Sequence, residues 1–338
     1  MVTLAPAACA LQGETRAGQA GNRTTEASLN YPNPLIEQRA DPWVIKHTDG
    51  YYYFIASVPE YDRLELRRSK TIAGLATAEP KVIWKKHDSG LMSFHIWAPE
   101  LHHIDGAWYI YFAAGKAEAI WDIRMFALSN ESENPLEGDW TERGRVHTDL
   151  DTFSLDATTF EHADQRYMIW AQNEPSFGPG TTLRMARMKD PVTLEPPFVT
   201  ISKPELPWER IGHNVNEGAA VLKRDGKIFV TYSASATDEN YAIGLLWADE
   251  DADLLDPASW NKSPDPVFTT SEAAGEFGPG HNSFTTAEDG ETTLMIYHAR
   301  PYKGTRPDPL NDLNRHTRVK KVQWDESGMP EFGRPGDN

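Results

Sequence analysis

Five copies of one hairpin pattern run along this chain, and they constrain its fold more than any other feature. Each copy is an apolar run, a turn that contains an aspartate, and a second apolar run. The turn aspartates are spaced by 56, 59, 61 and 64 residues: Asp49, Asp105, Asp164, Asp225 and Asp289. Asp-Gly between alternating apolar segments is a strong hairpin signal, because glycine supplies the positive φ of a type I′ turn. Only the third copy differs, with Asp164-Gln165.

Each hairpin is followed by further strand-like runs. A third run follows every hairpin, as in "DIRMFALS" and "AIGLLWADE", and an aromatic-bearing fourth run follows in several copies, as in "KVIWKK" and "DPVFTT". Four strands per repeat and a period near 60 residues are typical of β-propeller blades. The sequence therefore predicts an all-β fold, with a single five-bladed β-propeller of four antiparallel strands per blade over residues 31–338.

The first 30 residues have a different composition. They are rich in Ala, Gly and Thr, and no basic residue precedes their short apolar patch, which makes a poor signal peptide. We expect a flexible tail here. Cys9, the only cysteine, lies in this segment, so no intrachain disulfide is possible and the cellular compartment stays open. Secretion is compatible with a polymeric substrate, but the segment gives no convincing signal for it.

Charge and hydropathy argue against some partners. The net charge of −17 would repel nucleic acid and anionic membrane surfaces, so neither is expected as a partner. No apolar run approaches the roughly 18 residues of a membrane-spanning helix. With 39% hydrophobic residues and 11 Trp, 12 Tyr and 13 Phe, the chain can bury a large core.

One position of the repeat is occupied by residues that could take part in catalysis. The residues eight positions before the turn aspartates are Asp41, Trp97, Asp156, Glu217 and His281. The innermost strand of each blade runs along the propeller axis, so these residues are predicted to form a ring at the channel mouth. Acids at strand ends are often merely solvated. Three converging carboxyl groups, however, raise one another's pKa at a cost in stability, and this arrangement suits general acid and base catalysis.

The motifs around this ring resemble a known family. The runs "QRADPWV", "HIWAPEL", "SLDATTF", "VNEGAAV" and "GPGHNSF" look like the five blade motifs of glycoside hydrolase family 43, over about residues 31–334. Within that family, the first blade is similar to exo-acting α-L-arabinofuranosidases that cut α-1,5-linked arabinan. The resemblance implies an inverting hydrolase that acts on arabinan, arabinoxylan or their oligosaccharides.

The resemblance also implies roles for single residues. Asp41 matches the general base, Glu217 the general acid, and Asp156 the carboxylate that orients the acid and keeps its pKa high. In an inverting enzyme the base activates a water molecule that attacks the sugar. The chemistry itself then needs no cofactor.

Four further residues have two interpretations each. Trp97 is either a core aromatic or a platform on which a sugar stacks. Gln172 and Arg300 end the second strands of their hairpins, as solvated strand ends or, as the resemblance favours, as contacts to arabinose hydroxyls. His281 is either a neutral imidazole plugging the channel or the ligand of a calcium or other cation on the axis, as in several relatives. The insert between Arg300 and Arg315 is expected to be a rim loop that shapes the pocket.

Other functions remain open at this stage. A β-xylosidase or an arabinoxylan-debranching enzyme of the same family would share the ring. A five-bladed fructosidase would also use three carboxyl groups, but its "NDPNG"-like and "RDP" motifs are absent from the sequence. A non-catalytic glycan-binding propeller would have no reason to bring Asp41, Asp156 and Glu217 together.

Overall fold

A computed structural model of the chain describes residues 1–2 and 30–337. The chain divides into two units, Met1–Asn30 and Tyr31–Asn338, and the fold below is that of the second unit. The tail predicted for residues 1–30, with Cys9, lies almost entirely outside the described residues. None of the helices in the described part of the chain has the length and apolarity needed to cross a membrane.

The second unit is a five-bladed β-propeller, which confirms the predicted fold class. Each blade is an antiparallel sheet whose strands neighbour one another in chain order. The strands of blades 1 and 2 are β1 (Ala40–Lys46), β2 (Tyr52–Ser57), β3 (Arg63–Ser69), β4 (Lys81–Lys85), β5 (Phe94–Ile104), β6 (Ala107–Lys116), β7 (Ala119–Asn130) and β8 (Thr141–Arg145). Those of blades 3 to 5 are β9 (Ser154–His162), β10 (Gln165–Gln172), β11 (Thr182–Asp190), β12 (Thr193–Ser202), β13 (Asn216–Arg224), β14 (Lys227–Ala234), β15 (Ala242–Asp249), β16 (Asn261–Lys262), β17 (Phe277–Thr286), β18 (Thr293–Arg300) and β19 (His316–Lys321).

The remaining elements are short. A two-stranded sheet of β20 (Gln323–Trp324) and β21 (Pro330–Glu331) follows blade 5. Three 3₁₀ turns lie between strands, at Ala73–Ala76, Pro207–Arg210 and Pro257–Ser259.

The ring of blades closes through residues that precede the first strand. Ile36 forms an antiparallel bridge with Thr317 of β19, at the position where the other blades have a fourth strand. Beside this bridge, Asn33 donates a hydrogen bond to Glu276 (2.8 Å) and accepts one from Arg318 (2.6 Å). Closure covers the free edge of β19, which would otherwise expose unpaired backbone groups.

Apolar side chains fill the spaces between neighbouring blades. Tyr53 and Ile55 of blade 1 pack with Ile110 of blade 2 in one such cluster. Ile243 of blade 4 packs with Tyr297 of blade 5 in another. Strands such as β2 are therefore buried at consecutive rather than alternate positions, because both faces of a blade are covered in a propeller.

The innermost strand of every blade contains the same irregularity. In β1, β5, β9, β13 and β17 the pairing register shifts beside a residue that has a left-handed backbone. These residues are Asp41 (φ 53°), Ala98 (φ 46°), Asp156 (φ 56°), Gly218 (φ 56°) and His281 (φ 45°), and we call these five positions the bulge residues. β5 and β17 contain a second shift of this kind, beside His95 and Gly278. A bulge of this kind bends a strand and redirects its side chains.

The bulge residues correct the predicted register in two blades. Counting back from the turn aspartates selected Trp97 and Glu217, but the bulge residues there are Ala98 and Gly218. The aspartate occupies different places in the turns, because Asp105 is the first loop residue in blade 2 and Asp164 the second in blade 3. Blades 1 and 5 have longer loops between their paired strand ends.

Candidate active site

The five predicted ring residues line one cavity of about 610 Å³. They come from five different blades: Asp41, Trp97, Asp156, Glu217 and His281. Pro309 and Leu310 of the insert of the last blade, and Arg315 directly after it, line the same cavity. The predicted convergence of three carboxyl groups is therefore present, one on each of blades 1, 3 and 4.

Asp41 is held as an anion. Its side chain is 8% exposed, and its Oδ2 accepts a hydrogen bond from the Ser57 hydroxyl at 2.6 Å. Arg315 Nη1 lies 3.3 Å from Oδ1. Burial alone would raise the pKa of Asp41, but the Arg315 guanidinium first, and the nearby imidazoles and Ser57 after it, hold the pKa well below its usual range. An ionised carboxylate in this place can accept a proton.

Two buried imidazoles border Asp41. The Asp41 N–H donates to His298 Nδ1 at 3.0 Å, so this nitrogen carries a lone pair rather than a proton. His281 Nδ1 lies 3.4 Å from Asp41 Oδ1 and 3.8 Å from Asp156 Oδ2. Burial lowers the pKa of both histidines, and Arg315 lowers it further, so both rings are neutral at pH 7.

Glu217 has the opposite electrostatic environment. The side chain keeps part of its surface open to the cavity, and Oε1 accepts a hydrogen bond from the Tyr241 hydroxyl at 2.8 Å. Burial, assisted by the negative charge of Asp41, raises the pKa of Glu217 to about 7, while Tyr241 and Arg315 oppose the rise. A carboxyl group of this pKa retains its proton in a large fraction of molecules near neutral pH, as a general acid requires.

Asp156, on the blade next to that of Glu217, fixes the backbone beside Glu217. Its Oδ2 accepts the Gly218 N–H at 3.0 Å. Burial first, and then the charges of Glu217 and Asp41, raise the pKa of Asp156 well above its ordinary value. Gly218 itself has little freedom to change, because a Cβ there would lie 2.9 Å from His281 Cγ.

Trp97 lies at the wall of the cavity. It is partly buried and contacts Tyr61 and His95, with ring centroids 5.8 Å and 4.2 Å away. Its ring is thus supported from behind, and one part of it reaches the cavity.

Gln172 and Arg300 do not line the cavity. Gln172 is fully buried, and its amide donates to Thr148, Leu150 and Thr152 and accepts from Trp170. Its hydrogen-bonding capacity is used inside blade 3. The structure therefore gives no support to a direct contact between Gln172 and substrate.

Arg300 supports the rim of the cavity from below. It is 1% exposed and donates to the carbonyl groups of Thr237 (2.5 Å) and Pro309 (2.9 Å). Its Nε lies 3.2 Å from Asp312 Oδ2. Because Thr237 and Pro309 line the cavity, Arg300 positions the wall rather than contacting the interior.

Sequence reasoning missed Arg315, Tyr241 and Ser57. Arg315 follows the insert of the last blade, Tyr241 precedes the third strand of blade 4, and Ser57 ends β2. None of them falls at the repeated position that identified the ring. Ser57 contacts Asp41 within blade 1 and Tyr241 contacts Glu217 within blade 4, whereas Arg315 reaches Asp41 from blade 5.

The axial cation predicted at His281 remains a prediction. In the part of the chain that the structure describes, no group of three or more His, Cys, Asp or Glu side chains is arranged to hold a metal ion. The carboxylate oxygens near His281 Nδ1 are those of Asp41 and Asp156, and Asp41 already pairs with Arg315. Assays before and after treatment with EDTA, followed by restoration with calcium, test the prediction.

Two curated relatives resemble most of this chain. An "Extracellular exo-alpha-(1->5)-L-arabinofuranosidase" of Streptomyces avermitilis is 55% identical over 91% of this chain and 64% of its own length. "Alpha-L-arabinofuranosidase 43" of Humicola insolens is 53% identical over 92% of this chain and 65% of its own length. The chain thus spans slightly less than two thirds of these relatives.

A solved structure and a family model agree with these matches. The crystal structure of α-L-arabinofuranosidase from Lactobacillus brevis superposes with a TM-score of 0.88 at 53% identity, covering 90% of this chain and 97% of that one. The family model described as "Glycosyl hydrolases family 43" matches residues 31–330, which include all five blades and the cavity. The chain therefore belongs to glycosyl hydrolase family 43.

Proposed function

We propose that this protein is an inverting exo-α-L-arabinofuranosidase, which releases single terminal L-arabinofuranose units from α-1,5-linked arabinan or its oligosaccharides. The observation that carries the proposal is the pair of opposite protonation states in one cavity. Asp41 is ionised, and Glu217 has a pKa of about 7. Base and acid catalysis at one glycosidic bond needs these two states together. The names of the relatives that are 53–55% identical support the choice of sugar.

The reaction is a single displacement. Asp41 accepts a proton from a water molecule, whose oxygen attacks the anomeric carbon from the side opposite the leaving group. Glu217 donates its proton to the glycosidic oxygen as the bond to the anomeric carbon breaks. The products are arabinose of inverted configuration and an alcohol, the shortened glycan, and the two carboxyl groups regain their protonation states through solvent.

Neighbouring residues keep the two carboxyl groups in these roles. Ser57 and Arg315 fix the carboxylate of Asp41 from two sides. Tyr241 orients Glu217, and Asp156 holds the backbone amide that follows it. Positioning of this kind lowers the entropic cost of bringing water, sugar and proton donor together.

The shape of the cavity supports cleavage at chain ends. Asp308, Pro309 and Leu310 form part of its wall, and Arg300 holds this segment in place. A wall of this kind favours a pocket that accepts one terminal sugar, whereas an endo-acting enzyme needs an open groove.

Two measurements on the purified protein test the proposal. Chromatography of early products from linear α-1,5-arabinan should show L-arabinose alone, and proton NMR should show its β anomer first. Arabino-oligosaccharides as earliest products would contradict exo action, and an initial α anomer would contradict inversion. Aryl β-D-xyloside, aryl fructoside and arabinoxylan serve as parallel substrates. A preference for one of them would identify the protein as a β-xylosidase, a fructosidase or an arabinoxylan-debranching enzyme, respectively. Absence of turnover on all of them would leave a glycan-binding role.

A further inference from the structure

Trp121, at the start of β7, is an exposed aromatic side chain on the wall of the cavity. It is 59% exposed, more than any other large apolar side chain among residues 30–337. It lines the same cavity as the three carboxyl groups. A single exposed apolar side chain needs no explanation by itself, but one that lines a cavity beside three carboxyl groups is placed to contact a ligand that binds there.

Ion pairs and close backbone packing hold the hairpin that contains Trp121 in place. Asp122, the next residue, pairs with Lys116 at 2.5 Å and with Arg124 at 2.7 Å. The two strands approach so closely that a Cβ on Gly115 would lie 2.6 Å from the Ile120 carbonyl oxygen. Trp121 therefore projects from a backbone whose position is fixed on both strands.

Trp121 is the outermost of three aromatic rings that contact one another. The centroid of His95 lies 4.2 Å from that of Trp97 and 5.2 Å from that of Trp121, and the two indoles are 6.2 Å apart, so the three rings form a triangle. Burial lowers the pKa of His95 to about 4, so the imidazole beside the two indoles is uncharged at neutral pH. Trp97 is partly buried and Trp121 exposed, so this cluster extends from the interior of the cavity toward its mouth.

We propose that Trp121 provides an outer sugar position, on which the second arabinofuranose of the chain stacks while the first is cleaved. The inference rests on the proposed function. The terminal sugar must reach Asp41 and Glu217, and the glycan continues outward toward the mouth. The C–H face of a furanose is apolar enough to pack on an indole, whose edge remains in water. Trp121 thereby favours substrates that have a second sugar unit.

The test compares a substrate that has a second sugar with one that has none. For α-1,5-arabinobiose and α-L-arabinofuranosyl fluoride, kcat/KM is measured in the wild type, Trp121→Ala and Trp121→Phe. In Trp121→Ala the ratio of the two values, disaccharide to fluoride, should fall about tenfold, chiefly through the KM of the disaccharide. Trp121→Phe should restore most of the ratio, since it keeps an aromatic face.

Leu91→Ala is the matched control, because Leu91 is also exposed, at 48%, but does not line the cavity. This variant should keep the wild-type ratio. An unchanged ratio in Trp121→Ala would overturn the outer position, and so would an equal loss on both substrates, which would place Trp121 at the terminal sugar. A wild-type protein that cleaves neither substrate would refute the proposed function itself, before any variant is compared.

Discussion

Arg315 gives two enclosed carboxyl groups in one cavity different properties. For Asp41 the guanidinium at 3.3 Å outweighs the effect of burial, and the pKa falls. For Glu217 burial outweighs the same guanidinium, and the pKa rises to about 7. The assignment of base and acid therefore follows from which carboxyl group the arginine touches.

The first prediction separates the proposed acid from the proposed base by leaving group. Glu217→Gln removes the proton that a departing sugar needs, whereas a nitrophenolate departs with little assistance. The variant should therefore lose roughly 10²–10⁴-fold in kcat/KM on arabinobiose and far less on nitrophenyl α-L-arabinofuranoside. Asp41→Asn should lose activity on both, since both need activated water.

The two variants are each other's control. Each variant replaces a carboxyl group with an isosteric amide and is compared on two substrates, so the dependence on leaving group within one variant reports the role of that residue. If Glu217→Gln harmed both substrates equally while Asp41→Asn spared the nitrophenyl glycoside, the roles would be assigned the wrong way round.

Arg315→Met should move the pH–rate profile to higher pH. The guanidinium lowers the pKa of Asp41, whose ionised form is active. Its removal should therefore move the acidic limb of the profile to higher pH by about one to three pH units. It also lowers the pKa of Glu217, whose protonated form is active, so the basic limb should rise as well. Arg315→Lys, which keeps the charge, should move both limbs less. A lower maximal rate with both limbs at their wild-type pH would show that Arg315 acts through geometry alone.

Asp156→Asn tests the predicted effect of this residue on Glu217. A negative charge on Asp156 disfavours ionisation of Glu217, so its removal should lower the basic limb of the profile. The hydrogen bond from the Gly218 N–H can persist to an amide oxygen, which limits the loss from misplacing the backbone. A basic limb that stays in place would mean that Asp156 itself keeps its proton, and that burial accounts for the raised pKa of Glu217.

Elements bring these residues together, and the sequence predicts the elements better than their contacts. The turn aspartates identified all five hairpins, four of them through Asp-Gly, because local backbone chemistry specifies such turns, and blades 2 to 4 have left-handed backbone at their two turn residues. The predicted ring residues Trp97 and Glu217 line the cavity, but they precede the bulge residues of their blades by one position, since turn geometry varies. Arg315 could not be predicted, because its role depends on a contact between blades 5 and 1. Tyr241 was missed because it lies outside the repeated position, although it contacts Glu217 within blade 4. The sequence suggested that Gln172 was free to contact the sugar. Its hydrogen-bond partners, Thr148, Leu150 and Thr152, lie in an irregular segment whose position the sequence does not predict.

The rim segment between β18 and β19 depends on Arg300, and its variant tests this. Arg300→Met removes the donors to Thr237 and Pro309 and leaves Asp312 buried without its guanidinium. The segment should loosen, with a higher KM and faster cleavage by trypsin after the exposed Lys303. Arg143→Met, at an exposed position of β8, is the control. Unchanged proteolysis and KM in Arg300→Met would show that the segment is held by its other contacts.

At the scale of the whole molecule, stability depends on how the ring closes. Glu276 is 1% exposed and accepts hydrogen bonds from Asn33 (2.8 Å), Tyr297 (2.7 Å) and Arg318 (3.2 Å). It therefore links the segment before β1 to two strands of blade 5. No comparable contact is needed between other blades, because the chain itself connects them.

Glu276→Ala should lower the free energy of unfolding by about 3–5 kcal/mol, because it leaves the Arg318 guanidinium buried without its carboxylate. Thermal and urea unfolding measure the change. Glu291→Ala, an exposed acid in the same blade, should alter the midpoint little. A Glu276 variant as stable as the wild type would mean that the Ile36–Thr317 bridge closes the ring by itself.

The bulge residues indicate that the five hairpins descend from one ancestral hairpin. The same backbone distortion recurs in five hairpins, although the residue at its centre is aspartate twice and alanine, glycine and histidine once each. Gene duplication explains such a pattern, since copies inherit a backbone and then diverge in side chains. Ala98 and Gly218 are then the copies without a polar side chain, and a Cβ at Gly218 would lie 2.9 Å from His281 Cγ. Ala98 lies at a cavity position whose left-handed backbone suits asparagine and aspartate. It is the natural place for laboratory evolution to add a new substrate contact without rebuilding the fold.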